Sequence, residues 1–272
     1  MHVRVRFGVF GMTLGLALVA AAAAHAQTYS ITDLGTLGGS YSVALGVNAR
    51  GQVVGNSFTD RDEALHAFFY SDGTMKDLGT LGGTSSYVDA IDDAGQVFGT
   101  TYTAGNASLR AFVYAGDKMV DLGPLPSATT HTRSTNAAGD VAGTAYIGNS
   151  TSLHAFLYRA GSMLDLGTLG GPASFAYGVN ASGSVVGSSN VPGPDAGHAF
   201  VVQEGVMRDL NVLAGAQRTG WVLNSARAIN DAGQIVGFGT HNGRTTAFLL
   251  TPVANAAASG SGKAAPASVA AR

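Results

Sequence analysis

One acidic residue recurs in this sequence at a constant interval. An aspartate followed by leucine stands every 44 residues, at Asp33, Asp77, Asp121, Asp165 and Asp209. Five evenly spaced carboxylates in a repeating fold suggest an acidic ring, an arrangement that attracts cations. A residue present in every repeat also serves the repeat itself, by accepting backbone N–H bonds in the turn that follows or by pairing with a histidine across a hairpin. We favour this structural interpretation.

Histidine also recurs, but not in every repeat. It stands at His66, His154 and His198, while Arg110 and Thr246 take the equivalent places. A metal site with five-fold symmetry is therefore excluded. Carboxylates near the interstrand turns are missing from two of the five repeats, which argues against calcium loops. The chain has no phosphate loop, no Gly-x-Ser-x-Gly and no His-Glu-x-x-His. We expect no metal and no cofactor.

The repeating unit predicts four β-strands that would position these side chains. It runs Asp-Leu-Gly-Thr-Leu-Gly-Gly, a segment ending in Asn or Asp, Gly-Gln-Val-Val-Gly, and His-Ala-Phe-x-Tyr. Asn-x-x-Gly, as at residues 48–51, suits a type I turn between the first and second strands. Asp72-Gly73 is a hairpin signal between the third and fourth. Strands such as 67–70 are apolar on both faces, which indicates units stacked between neighbouring units.

A four-stranded unit of about 44 residues is typical of a β-propeller blade. A β-solenoid is the alternative, although its repeats are usually shorter. The chain begins with an unaccompanied fourth strand at 29–34 and ends on a third strand at 247–250. We therefore predict an all-β fold, a five-bladed β-propeller whose ring the N-terminal strand closes, which removes two exposed strand edges.

The two ends of the chain differ from the repeats. Residues 1–26 combine two arginines, an apolar run and Ala24-His25-Ala26, which predicts a secretory signal cleaved after Ala26. An uncleaved membrane anchor is the alternative. Residues 27–252 form the five-repeat domain, and 253–272 read as a flexible Ala/Ser/Gly-rich tail. We expect a secreted or periplasmic protein, with no membrane insertion after cleavage.

Charge and cysteine content narrow the possible partners. Residues 27–252 hold all 17 acidic and 11 of the 15 basic residues, a formal charge of −6. A domain with this charge offers no basic surface for nucleic acid.

The chain has no cysteine, so packing without disulfides must stabilise it. We expect a monomer.

The repeats resemble a known family. The triplets at His66, His154 and His198, together with the Asp-Leu-Gly-Thr-Leu-Gly-Gly segments, are similar to the HAF repeat of bacterial extracellular proteins. The likeness covers nearly all of 29–252. It departs at Arg110 and Thr246, and at two prolines in the glycine-rich segment of unit three. The resemblance implies secretion and repetition, and it implies no established activity.

Positions that vary between repeats are the better candidates for binding. Counting back from the turn Asn or Asp, the third and fifth residues of the first strand vary, and alternation places them on one face. In a propeller that strand lines the central channel, and its start lies at one mouth. The only tryptophan falls in an insertion beside that mouth, where it either contacts a ligand or plugs the channel or closure seam. The predicted ligand-binding residues are Trp221, Tyr177, Phe175, Arg133, Arg227, His131, Tyr87 and Asp89.

Aromatic rings beside arginine and aspartate suit sugar rings and their hydroxyls. The sequence therefore favours a non-catalytic binding or surface-interaction module, with an extracellular glycan or cell-surface polymer as ligand. A glycan-cleaving enzyme is the alternative, but it needs two carboxylates flanking the bond, and only Asp89 is well placed. A purely structural envelope or matrix protein is the third possibility.

Overall fold

The computed structural model describes residues 26–124, 134–146, 152–160, 162–193 and 197–253. The predicted signal segment apart from Ala26, and the predicted tail apart from Val253, lie outside these residues. Val253 belongs to the last strand, which extends one residue past the predicted domain boundary. Within the described ranges, no helix has the length and apolar character needed to cross a bilayer.

The described chain is all-β, with twenty strands and one α-helical turn. The strands are β1 (Thr28–Gly35), β2 (Gly38–Val47), β3 (Val53–Thr59), β4 (Leu65–Ser71), β5 (Thr74–Asp77), β6 (Gly82–Ile91), β7 (Val97–Thr103), β8 (Leu109–Ala115), β9 (Lys118–Pro124), β10 (Ser134–Thr135), β11 (Val141–Tyr146), β12 (Leu153–Arg159), β13 (Ser162–Asp165), β14 (Ser174–Val179), β15 (Val185–Ser189), β16 (His198–Gln203), β17 (Val206–Asp209), β18 (Trp221–Ile229), β19 (Ile235–His241) and β20 (Arg244–Val253). The helix is α1 (Leu210–Leu213), and 3-10 turns cover Asp60–Asp62, Ala104–Asn106 and Ala216–Thr219.

Consecutive strands form antiparallel groups of four. These are β2–β5, β6–β9, β10–β13 and β14–β17, which we number units one to four. Unit five contains β18, β19 and β20, and β1 pairs antiparallel with β20 from Thr28 opposite Val253 to Gly35 opposite Ala247. The N-terminal strand therefore supplies the fourth strand that unit five lacks. One parallel bridge also joins β20 to β2.

The turns follow the signals in the sequence. The Asn48 side-chain oxygen accepts the backbone N–H groups of Arg50 and Gln52. Gly51 takes a φ of 75°, the left-handed conformation expected at the end of this turn. Asp72 and Gly73 also have positive φ angles, 52° and 80°, as a two-residue type I′ hairpin requires. Both turn predictions are confirmed.

Neighbouring units share apolar cores. Phe112 of unit two, the phenylalanine of its Arg-Ala-Phe triplet, is fully buried in one cluster with Val54 of unit one. Phe68 of unit one occupies the same place against Val236 of unit five. Burying such a side chain contributes roughly 1.5–3 kcal/mol. Strands such as β4 are apolar on both faces because they are enclosed by their own unit and the next one, as the sequence predicted.

Buried serines join one unit to the next. Ser86, on the first strand of unit two, accepts the backbone N–H of Ala67 at 2.9 Å and donates to the carbonyl oxygen of Gly79 at 2.7 Å. Its side chain is fully buried. Ser42 and Ser174 make the equivalent bonds in units one and four. The sequence analysis did not single out these hydroxyls, although a serine stands seven residues after the glycine in three of the four Asp-Leu-Gly segments and is the signal that marks them.

We expect Ser86→Ala to lower the free energy of unfolding by about 1–3 kcal/mol, because two buried backbone groups lose their partner. Denaturant unfolding measures the change. Ser85→Ala is the matched control, since Ser85 accepts the hydrogen bond of the Thr101 hydroxyl through its backbone oxygen, which the substitution keeps. Equal midpoints for the two variants would show that the serine bridge does not stabilise the contact between units.

Candidate functional site

The repeated aspartates stabilise their own units. Asp77 accepts the N–H of Gly79 at 2.7 Å, and its carboxylate also bonds to Nδ1 of His66 at 2.8 Å. The same two kinds of contact recur at Asp165 with Gly167 and His154, and at Asp209 with Asn211 and His198. These contacts confirm the structural interpretation of the acidic repeat.

The pKa of Asp77 agrees with a structural role of the repeated aspartates. Burial alone would raise the pKa of Asp77, but the hydrogen bonds from His66 and Gly79 outweigh it. The pKa of Asp77 consequently lies below its usual value. A carboxylate held ionised by a histidine and a backbone N–H is suited to holding a turn.

Two units replace the histidine. In unit two, Arg110 forms an ion pair with Asp121 at 3.5 Å. In unit five, Thr246 stands at the histidine position, and His241 at the end of β19 bonds to Asp33 at 2.8 Å instead. Among the described residues, no three or more His, Asp or Glu side chains gather as a metal ion would require.

The variable third position of the first strand is a β-bulge. The pairing register shifts around Leu45, Asp89, Tyr177 and Arg227 in the four units whose first strand is described over this stretch. A bulge leaves one residue outside the ladder and redirects its side chain, and bulges are frequent next to binding sites. This explains why the position tolerates such different residues. The sequence analysis assumed unbroken alternation and did not predict the bulge.

The first strands of units four and five border a cavity of about 450 Å³. Its size lies within the range of roughly 300–1,000 Å³ usual for small-molecule sites. Three of the predicted residues, Phe175, Tyr177 and Arg227, lie in its wall, and each is half-buried. The other lining residues are Ser188, Ser189, Asn190, Gly197, Asn224, Ser225, Phe238 and Thr240. No described aspartate or glutamate lines it.

Arg227 is held by aromatic rings. Its guanidinium carbon lies 4.3 Å from the ring centre of Tyr177, which belongs to unit four, and 5.3 Å from that of Phe238 on β19. Cation–π contacts of this kind contribute about 0.5–2 kcal/mol and do not use the N–H donors in conventional hydrogen bonds. The side chain is thus positioned without its hydrogen-bonding capacity being consumed.

Two buried polar atoms of this wall have no partner among the described residues. They are Nε of Arg227 and the hydroxyl oxygen of Ser225, a residue that is only 4% exposed. Buried polar groups are nearly always hydrogen-bonded, and leaving one unsatisfied costs about 1–3 kcal/mol. Unsatisfied donors beside a cavity are therefore a mark of a ligand site.

Trp221 requires a correction. We predicted that it stacks on a ligand, but it is 4% exposed and lies in the core cluster that units four and five share. Its ring stacks on His241 at 4.5 Å between centres and meets Phe248 edge-on at 6.3 Å. A sugar-binding platform needs an open ring face, so Trp221 is a packing residue. Phe238 supplies the third ring of the cavity instead.

The remaining predicted residues do not line this cavity. Tyr87 and Asp89 belong to unit two, and partial burial raises the pKa of Asp89. His131 and Arg133 lie outside the described residues. Phe238, Asn190 and Asn224 were missed because they come from a second strand, an interstrand loop and the sixth step of the first strand, none of which the counting rule covered.

Neither a protein-family model nor a curated protein matches the sequence. Solved structures with some likeness include the β-propeller domain of the Trilobed protease from Pyrococcus furiosus, with 8% identity over 77% of this chain and 69% of that one, at a TM-score of 0.29. TolB from Acinetobacter baumannii is 13% identical over 84% of this chain and 63% of its own, at 0.31, so the chain spans less than two thirds of TolB. The PQQ-bound aldose sugar dehydrogenase from Streptomyces coelicolor is 11% identical over 83% and 98%, at 0.32. Likenesses this weak carry no argument about function.

Proposed function

We propose that the protein is a secreted or periplasmic, non-catalytic binding module of the HAF repeat kind, built as a closed five-bladed β-propeller. The pairing of β1 with β20 supports closure, because it joins the two ends of the chain within one unit. The shared core between Phe68 of unit one and Val236 of unit five supports it further.

Hydrogen bonds between the turn asparagines also support a ring. Asn136 donates to the carbonyl of Asn180, Asn180 to that of Asn230, and Asn230 to that of Asn48, so unit five is linked to unit one. Asn48 continues the series to Asp92 at 3.0 Å. The side chain of Asp92 is a carboxylate and has no N–H to donate onward, which accounts for the interruption there. The series favours units arranged around one axis.

We propose that the ligand is an extracellular glycan. The observation that supports this ligand class is the cavity between units four and five. Half-exposed Tyr177 and Phe175 offer ring faces for the apolar side of a sugar. Arg227 and Ser225 add polar atoms that have no partners among the described residues. Few, well-positioned polar groups within an aromatic wall are characteristic of small-molecule sites.

Two alternatives are less well supported. A glycan-cleaving enzyme needs two carboxyl groups roughly 5–10 Å apart, and no described carboxylate lines the cavity. A purely structural protein needs no cavity with unsatisfied donors. The enzyme alternative predicts that substitutions in this cavity leave glycan affinity unchanged, and the structural alternative predicts that no glycan binds.

A glycan array on the mature protein, followed by titration calorimetry, tests the proposal. We expect Tyr177→Ala to weaken binding of the glycan that the array identifies by about thirty-fold, since truncating an anchor residue costs about 2 kcal/mol. Arg50→Ala, in the turn between β2 and β3, is the control and should bind as the parent does.

Circular dichroism and thermal melting of both variants exclude unfolding as the cause. Unchanged affinity in a folded Tyr177→Ala variant would rule out this cavity as the site. An array that returns no glycan at all would overturn the glycan proposal itself.

A further inference from the structure

The cavity between units four and five carries one positive charge that nothing described balances. Among the described residues, Arg227 is the only cation in its wall, and no described aspartate or glutamate joins it there. Arg227 also forms no ion pair with any described residue, in contrast to Arg110 and Arg159, which pair with aspartates of their own units. Partial burial of a guanidinium costs solvation free energy, because the charge loses part of its water shell. A negatively charged partner offsets that cost.

The residues around Arg227 leave its N–H donors available to a negatively charged ligand group. The rings of Tyr177 and Phe238 hold the guanidinium, and Nε is buried without a hydrogen bond. A guanidinium presents its N–H groups in a planar fork that matches a carboxylate bidentately. Fixing the fork in advance reduces the entropy lost when the partner binds.

Neutral polar groups stand next to this charge. The Ser225 hydroxyl is buried and unpartnered. Asn224 accepts a hydrogen bond from Thr240 at 3.2 Å through its side-chain oxygen, which leaves its amide N–H groups without a described partner. Hydroxyl and amide groups recognise the hydroxyls of a sugar ring. One cation, two aromatic rings and neutral donors together are complementary to a sugar that bears a single acidic group.

We propose that this cavity selects a carboxylate-bearing sugar, a uronic acid residue of an extracellular polysaccharide, whose carboxylate Arg227 binds. The inference rests on the proposed glycan-binding function and adds the class of glycan. Tyr177 and Phe175 are assigned the apolar face of the ring, and Ser225 is assigned a ring hydroxyl.

The test compares an oligomer of galacturonic acid with its methyl ester, by titration calorimetry at fixed salt. Esterification removes the charge and keeps the ring and its hydroxyls. A charge-assisted hydrogen bond contributes enough for roughly ten-fold or greater preference. We expect that preference in the parent protein, and we expect Arg227→Gln to bind the acid as weakly as the ester while its affinity for the ester stays the same.

Arg227→Lys and Arg50→Gln complete the comparison. Lysine keeps the charge but lacks the planar fork, so an intermediate preference is expected. If Arg227→Gln is unstable by thermal melting, Arg227→Lys and the two probes on the parent protein still decide the question. Arg50→Gln should retain the full preference.

Each contrary result has a distinct meaning. Equal binding of acid and ester, both weakened by Tyr177→Ala, would keep the glycan site and overturn the acidic class. Acid preference that survives Arg227→Gln would assign the carboxylate to another residue and also overturn the inference. If a sulfated oligosaccharide binds more strongly than the uronic acid, the group that Arg227 recognises is a sulfate and the carboxylate proposal is overturned. Binding of neither probe would overturn the inference, and the glycan array separately decides whether the proposed function survives.

Discussion

Gly55→Ala is expected to lower the free energy of unfolding by about 3 kcal/mol or more. Gly55 is buried on β3, and a Cβ atom there would overlap the backbone carbonyl oxygen of Val43 and lie 2.8 Å from two ring carbons of Phe68. Backbone and a fully packed ring have little room to move, so overpacking is costly. For a domain of this size, the melting temperature should fall by roughly 6–12 °C.

The control is another glycine-to-alanine change. At Gly197 a Cβ atom would touch the backbone of Ser189 at 3.4 Å, an ordinary contact, and the glycine has no positive φ. Gly197→Ala should therefore melt close to the parent protein. At the equivalents Gly99, Gly187 and Gly237 a Cβ atom would likewise overlap a carbonyl oxygen of the first strand and crowd a phenylalanine ring, so their alanine variants should lose comparable stability. A Gly55→Ala variant that melts like Gly197→Ala would mean that the first strand moves aside at little cost.

The sequence was sufficient for the strands and turns because local chemistry determines them. Asn48 and Gly51 form the predicted turn through contacts within five residues. Apolar residues on both faces of β4 require a partner on each side, whichever residues supply it. The role of the repeated aspartates was also predictable, since a residue that recurs in every unit makes contacts that recur in every unit.

The features that the sequence did not reveal depend on contacts between distant elements. Trp221 looked like a surface residue because it lay in an insertion, but His241 and Phe248 come together to bury it. The bulge at Tyr177 has no local sequence signal beyond a small residue after it. Arg227 was predicted at the mouth, but its ring neighbour Phe238 lies on the next strand. Such pairs are visible only once the register between strands is known.

The other large effect is expected at the junction of the chain ends. Deleting residues 27–35 removes β1, together with Tyr29 and Leu34, which are each 4% exposed in two different core clusters. The deletion also leaves the backbone groups of β20 unpaired along one edge, a known route to aggregation. We expect aggregation, or a melting temperature lower by about 10 °C or more, because losing each buried side chain costs about 2–5 kcal/mol.

Deleting residues 254–272 is the matched control, because it shortens the other end of the chain and leaves Val253 in place opposite Thr28. Its composition gives that segment little to bury, so the melting temperature should change by no more than about 2 °C. A synthetic peptide of residues 27–35, added to the shorter protein, should restore part of the lost stability by adding the missing strand to β20. The proposed closure of the ring through β1 predicts all three results together. If the two deletions lower the melting temperature equally, or if the peptide has no effect on a soluble deletion variant, the last unit is stable with three strands and the ring does not depend on the N-terminus.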